Sequence, residues 1–227
     1  MVLENNKYVN WYLRNEETIE FIKKLIDVAP IKVITLAPEL DGMDDFIYQL
    51  DKLKINIQFG HSLADFECCA KFMNKYSIGF THLYNAMSGN HHRSSGVLGA
   101  ALELGSFAEI ICDLNHVNKT SIKIAKKCIK NLYAVSDSMG ATGLENGIYN
   151  FFGVDIEKIN KKAVVKKTNA LAGSVINMYD TFSNLIKLLR KLFAILVCAV
   201  ALILEPKKSR ILFPSLHSRK CKQDFSK

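Results

Sequence analysis

The chain of 227 residues carries 30 Lys and Arg against 22 Asp and Glu, a formal net charge of +8, and is 49% apolar. That length and apolar content suit one domain of α/β size with a buried core and exclude a chain disordered by composition. The charge is uneven: residues 1–156 hold 15 basic and 18 acidic side chains and residues 157–227 hold 15 and 4, which argues against a nucleic-acid-binding body, because such a footprint lies on the folded surface and not only in a tail.

The polar start, Glu4-Asn5-Asn6-Lys7, lacks the apolar core of a signal peptide. Ile19, Phe21, Ile22, Leu25 and Ile26 are then spaced for one buried helical face that Pro30 closes. Ile31 to Leu36 reads as a buried strand rich in β-branched residues, ending in Ala37-Pro38-Glu39. Glu39 is either a metal or substrate contact or a carboxylate hydrogen-bonded to neighbouring loops. After Asp41-Gly42, a helix with Phe46, Ile47 and Leu50 on one side leads to the strand Ile55–Phe59 and then Gly60-His61-Ser62. Leu63 to Lys75 reads as the next helix, and the strand Ile78-Gly79-Phe80 delivers Thr81-His82.

Ser88 to Ser95 is a long loop carrying His91, His92 and Arg93. Such loops commonly close over a substrate, and a guanidinium there suits a phosphate or carboxylate. Gly96 to Leu104 reads as a helix, Phe107 to Cys112 as a strand ending in Asp113-Leu114-Asn115-His116, Asn118 to Lys130 as a helix, and Leu132 to Ser136 as a strand ending in Asp137. The strand starts are separated by 24, 23, 30 and 24 residues. That is the beat of βα units. Ile148 to Val165 has the alternation of a hairpin excursion, and Leu171-Ala172-Gly173-Ser174 precedes a helix from about Val175 to Leu189. The Gly-Ser pair either presents N–H groups to a ligand at that helix start or is an ordinary cap.

From Leu192 to Leu204 there are 13 uncharged residues, short of the roughly 20 that span a bilayer, so a buried or interfacial helix is expected, with a membrane span as the minority reading. Beyond Pro206 the chain is basic and irregular. The six cysteines, Cys68, Cys69, Cys112, Cys128, Cys198 and Cys221, form no C-x-x-C pair, and a reducing, cytoplasmic location is the expectation.

Glu39, His61, His82, His116 and Asp137 thus share one rim of successive βα units, the end where such folds do their chemistry. Each histidine alone reads equally as a metal ligand or as a residue bonded to backbone. Together the set suits metal-assisted hydrolysis, with Asp137 as the base that takes a proton from water or, alternatively, as a second metal ligand or a helix-capping residue.

The ordered strings Gly60-His61-Ser62, Thr81-His82-Leu83-Tyr84-Asn85-Ala86-Met87, Asn115-His116-Val117, Ser136-Asp137 and Leu171-Ala172-Gly173-Ser174 resemble the motifs of the N-acetylglucosamine-6-phosphate deacetylases of the amidohydrolase superfamily, over about residues 31 to 187. The resemblance implies a partial (β/α) TIM-type barrel of the metal-dependent hydrolase kind, occupying residues 1–187, with an aberrant apolar helix and basic tail at 188–227. It implies that His61 and His82 bind a divalent metal, zinc or iron, and that Asp137 is the general base. Asn85 and Ala86 would contact the sugar phosphate, Arg93 and His116 would help hold phosphate or sugar, and Leu171, Ala172 and Gly173 would line the site. In the family the arginine reaches the neighbouring subunit, which implies a homodimer acting on an amino-sugar phosphate, with no nucleic-acid partner.

The chain departs from the family in lacking the H-L/I-E-G-P motif that supplies a metal-binding glutamate. Glu39, in T-L-A-P-E, matches another family position. Early strands and a β-sandwich domain are also missing, so truncation at both ends is expected. The alternative to an active deacetylase is a catalytically dead or split-gene remnant of one.

Overall fold

A computed structural model describes residues 16–189 of the chain. Helix α1 (Glu16–Val28) is followed by β1 (Val33–Leu36), α2 (Met43–Lys52), β2 (Asn56–Phe59), α3 (Phe66–Met73) and β3 (Ile78–Phe80). Then come β4 (Asn90–His91), β5 (Ser94–Ser95), α4 (Val97–Leu104), β6 (Phe107–Ile111), α5 (Lys119–Cys128) and β7 (Asn131–Val135). The chain continues through β8 (Gly147–Phe151), β9 (Val154–Ile159), β10 (Lys162–Val165) and α6 (Met178–Leu189). The apolar run at 192–204, the basic residues beyond it and the polar start before residue 16 lie outside the described residues.

The main sheet is parallel throughout, in the order β1-β2-β3-β6-β7. Each strand lies beside the one before it, and β4 and β5 form a separate two-stranded ribbon. This order lacks the reversal of a doubly wound sheet, which places ligands at a switch point between two strands. Alternate residues explain the layering. Ile57, Phe59, Ile78, Phe80, Ala108, Ile110, Leu132 and Ala134 are buried in one core with Ile47, Leu50, Phe72, Ala101 and Ile122 from the helices. Phe59 meets Phe72 and Phe80 edge-on, at centroid distances of 6.1 and 6.2 Å.

The opposite face carries a polar chain. Thr35 and Thr81 share a hydrogen bond of 2.8 Å, Thr81 donates to Gln58 at 2.7 Å, Gln58 donates to Tyr133, and Tyr133 donates to Glu109 at 3.2 Å. Gly79 is required there because a Cβ would sit 2.0 Å from the Phe107 ring. Among the described residues β1 and β7 are not paired, so the sheet does not close.

The expected excursion after β7 is an antiparallel sheet, β10-β9-β8, with its own small core of Ile156, Ala163 and Val165. Several boundaries differ from the sequence expectation, and caps explain them. Helix α3 begins at Phe66 because Asp65 accepts the Cys68 N–H at 2.8 Å. Helix α6 begins at Met178, with Asn177 accepting the Asp180 N–H at 2.9 Å. Gly173-Ser174 therefore does not open that helix.

Candidate functional site

The carboxyl ends of β2, β3, β6 and β7 point to one rim, and the backbone there is unusual. Of the ten non-glycine residues with positive φ among the described residues, six lie on it: His61 (51°), His82 (31°), Tyr84 (79°), Ala86 (48°), Leu114 (65°) and Asp137 (49°). Sparsely populated backbone of this kind persists where surroundings over-determine it and clusters at functional sites.

Those surroundings can be named. Glu39 accepts hydrogen bonds from Ser62 Oγ at 2.6 Å and the Leu63 N–H at 2.8 Å, clamping the turn beside His61. Of the two readings open for Glu39, the hydrogen-bonded loop carboxylate is the one observed. Ser62 also exchanges backbone bonds with Ala86 and Ser88, tying the His61 turn to the turn after His82. Glu109 accepts the His82 N–H at 3.3 Å through its carboxylate and the Leu83 N–H at 2.8 Å through its carbonyl.

His61 Nε2 and His82 Nε2 face each other 2.9 Å apart, with the rings at 76°. Desolvation and the neighbouring His82 lower the His61 pKa, against the opposing charge of Asp137, which favours the neutral ring that a metal needs. His82 is 7% exposed, and its buried Nδ1 has no hydrogen-bond partner. Two nitrogens each about 2.0–2.1 Å from one ion lie roughly 2.9–3.4 Å apart for bond angles of about 90–109°. The pair therefore fits two positions of a metal's coordination sphere. It does not fit a complete set, since among the described residues no group of three or more His, Cys, Asp or Glu is placed to hold an ion.

Asp137 is exposed on the rim, and its charge bears on both His61 and His116. Its carbonyl accepts the Ser174 N–H at 2.8 Å. His116 is fully engaged: Nδ1 faces Asp113 Oδ2 and Nε2 faces the Ala172 carbonyl, both at 2.7 Å. Asn85 spends its amide N–H groups on the carbonyls of His82 and Leu83, at 3.0 and 3.2 Å. Ala86 accepts the Ser62 N–H at 3.1 Å. Leu171 bridges to Val164, Ala172 donates to the Ala163 carbonyl, and Gly173 lies against Asp137, where a Cβ would be 3.0 Å from its oxygen.

Arg93 sits at the exposed turn of the β4–β5 ribbon, donating to His92 Nε2 at 2.9 Å. The ribbon borders a cleft of about 430 Å³ lined by Leu63, Asp65, Ser88 and His91. Sequence reasoning missed Asp113, Glu109, Gln58 and Tyr133. Asp113 left a signal as a carboxylate at a strand end, and the other three as polar residues at alternate positions of otherwise apolar strands.

The parallel α/β sheet carries titratable side chains on its carboxyl rim, the end at which such sheets hold their ligands. No protein-family model matches the chain. An N-acetylglucosamine-6-phosphate deacetylase from Bacillus subtilis (strain 168) is 37% identical over 167 residues, 71% of this chain and 42% of the relative. An N-acetylgalactosamine-6-phosphate deacetylase from Escherichia coli O157:H7 is 29% identical over 180 residues, 78% of this chain and 48% of the relative. A Mycobacterium smegmatis N-acetyl-D-glucosamine-6-phosphate deacetylase mutant, solved in complex with N-acetyl-D-glucosamine-6-phosphate, superposes with a TM-score of 0.69 at 27% identity, covering 75% of this chain and 46% of that one. The chain belongs to the N-acetylglucosamine-6-phosphate deacetylase family, and it spans under half the length of the relatives it matches.

Proposed function

We propose that this chain carries the catalytic rim of a metal-dependent deacetylase that hydrolyses the N-acetyl group of N-acetylglucosamine 6-phosphate, giving glucosamine 6-phosphate and acetate in amino-sugar catabolism. The observation that carries the reading is the facing pair His61 and His82, 2.9 Å apart on a rim that also bears Asp137. His61 and His82 would hold zinc or iron. Such an ion lowers the pKa of a water from about 15.7 toward about 7 and polarises a carbonyl. Asp137 takes the proton from the attacking water and returns it to the departing amine nitrogen, acting as base and then as acid.

Asn85, Ala86 and Arg93 hold the sugar phosphate, with Arg93 projecting from its ribbon into the partner's site in a homodimer. His116, with both ring nitrogens engaged, contributes positive charge toward the phosphate and not a free hydrogen bond. Leu171, Ala172 and Gly173 line the sugar. The stepwise order of the parallel strands supports the described residues as part of a (β/α) barrel. Cys69 and Cys112 are buried, with thiols pushed up to about 12 chiefly by burial, so they act as unreactive small hydrophobes; a cytoplasmic location is part of the proposal. No helix among the described residues is long and apolar enough to cross a membrane.

Acetate release from the N-acetylated glucosamine and galactosamine 6-phosphates, with zinc or iron added, tests the reading. Turnover is expected on the glucosamine substrate, falling about 10²–10⁴-fold in Asp137→Asn. Turnover confined to the galactosamine substrate would reassign the sugar. The absence of a third donor among the described residues favours a second reading, an inactive or split-gene remnant, and no acetate from either sugar would establish it.

A further inference from the structure

The Asp113 side chain is 1% exposed and that of His116 is 8% exposed, so the pair is enclosed by protein. Asp113 Oδ1 accepts the N–H groups of Asn115 and His116, each at 2.8 Å, while Oδ2 faces His116 Nδ1 at 2.7 Å. The other ring nitrogen faces the Ala172 carbonyl oxygen at 2.7 Å. A carboxylate and a carbonyl are both acceptors, so the two contacts are satisfied together only when both ring nitrogens carry protons. A neutral ring donates at one end and turns a lone pair toward an acceptor at the other.

Ala172 belongs to a strap whose next residues hold Asp137. Ser174 donates its N–H to the Asp137 carbonyl at 2.8 Å, and Met139 donates to the Ser174 carbonyl at 2.9 Å. Asp137 itself is in the left-handed region, at φ 49°, a backbone state that neighbouring bonds must maintain.

We propose that Asp113 is a positioning residue: it holds His116 as a two-ended donor, and the ring in that state clamps Ala172 and, through the strap, the backbone of Asp137. Loss of one proton releases the Ala172 end. The catalytic consequence rests on Asp137 being the base of the proposed reaction, but the clamp does not. The charged groups that bear on the ring are Asp113 from its own loop and Asp137 from the turn after β7. Burial opposes the cation, yet the bonds to Asp113 and to the Ala172 carbonyl and the two carboxylate charges outweigh it and raise the His116 pKa.

The test is nuclear magnetic resonance on the full chain, which needs no substrate or metal. At about pH 6 both ring nitrogens of His116 are expected to carry protons. Hydrogen-exchange protection of the Ala172 and Ser174 amides, relative to that of Ile110 in β6, falls as pH rises through the His116 titration. Asp113→Asn keeps the Oδ1 acceptor and replaces Oδ2 by a donor. The ring then becomes neutral with its proton on Nε2, the Ala172 bond persists, and the pH step in protection disappears. A singly protonated ring in the unaltered protein at that pH overturns the proposal, as does a pH step in Asp113→Asn as large as in the parent. If Asp113→Asn does not fold, the protonation state and exchange step of the unaltered chain decide the matter alone.

Discussion

His61, His82 and Asp137 all sit in left-handed backbone, which costs on the order of 1–3 kcal/mol at each residue. The bonds from Ser62 and Leu63 to Glu39 and from His82 and Leu83 to Glu109 retain it at the two histidines, and the Ser174 bond to the Asp137 carbonyl retains it at Asp137. The Asp113–His116 pair adds a pH signature. The His116 pKa is raised above its unfolded value near about 6.5, so its contribution to stability is full below that value and lost as pH rises through the folded pKa. Burial alone would raise the Asp113 pKa, but its bonds from His116 and Asn115 outweigh that and lower it. Its contribution is therefore full above about 3.9 and lost as pH falls through the folded value. Thermal unfolding across a pH series should show an alkaline-side loss as pH rises through the His116 titration, which His116→Asn should abolish; an alkaline-side loss of equal size in that variant would contradict the assignment. His61, His82 and Asp137 are legible in the sequence because reactive residue types recur where apolar runs end. Asp113 also follows an apolar run, but its role is not legible, because that role depends on a carbonyl 56 residues beyond His116, and a backbone acceptor leaves no mark in the pattern of side chains.

The elements follow the hydrophobic period closely, and their ends follow side-chain chemistry that the period does not carry. Asp65 and Asn118 cap α3 and α5 with bonds of 2.8 to 3.0 Å, which shortens helices that apolar spacing alone would extend. The 88–95 loop contains the β4–β5 ribbon, too short for any alternation to reveal. The polar face of the main sheet is the least legible part. Thr35, Gln58, Glu109 and Tyr133 look out of place in apolar strands until the register sets them side by side. Gly79 shows how tight that face is. Gly79→Ala should destabilise the fold by about 1–3 kcal/mol, the range for overpacking, because the added methyl meets the Phe107 ring. Chemical denaturation checks this, and a neutral effect would mean that the ring yields freely.

For the whole molecule, the 23-to-30-residue beat of the strands makes the parallel α/β architecture legible. Closure of the sheet is not, because β1 and β7 remain unpaired among the described residues and no periodicity within them specifies what lies beyond. The same boundary governs the chemistry: two imidazoles face one another, and no third donor joins them among the described residues. Two ligands bind an ion far more weakly than a closed tetrahedral set does. The most direct test is therefore the zinc or iron bound per chain at saturating metal, in the parent and in His61→Ala and His82→Ala. One equivalent of low affinity, lost in both variants, is the predicted result; no bound metal in the parent, or metal retained undiminished in both variants, would contradict the account.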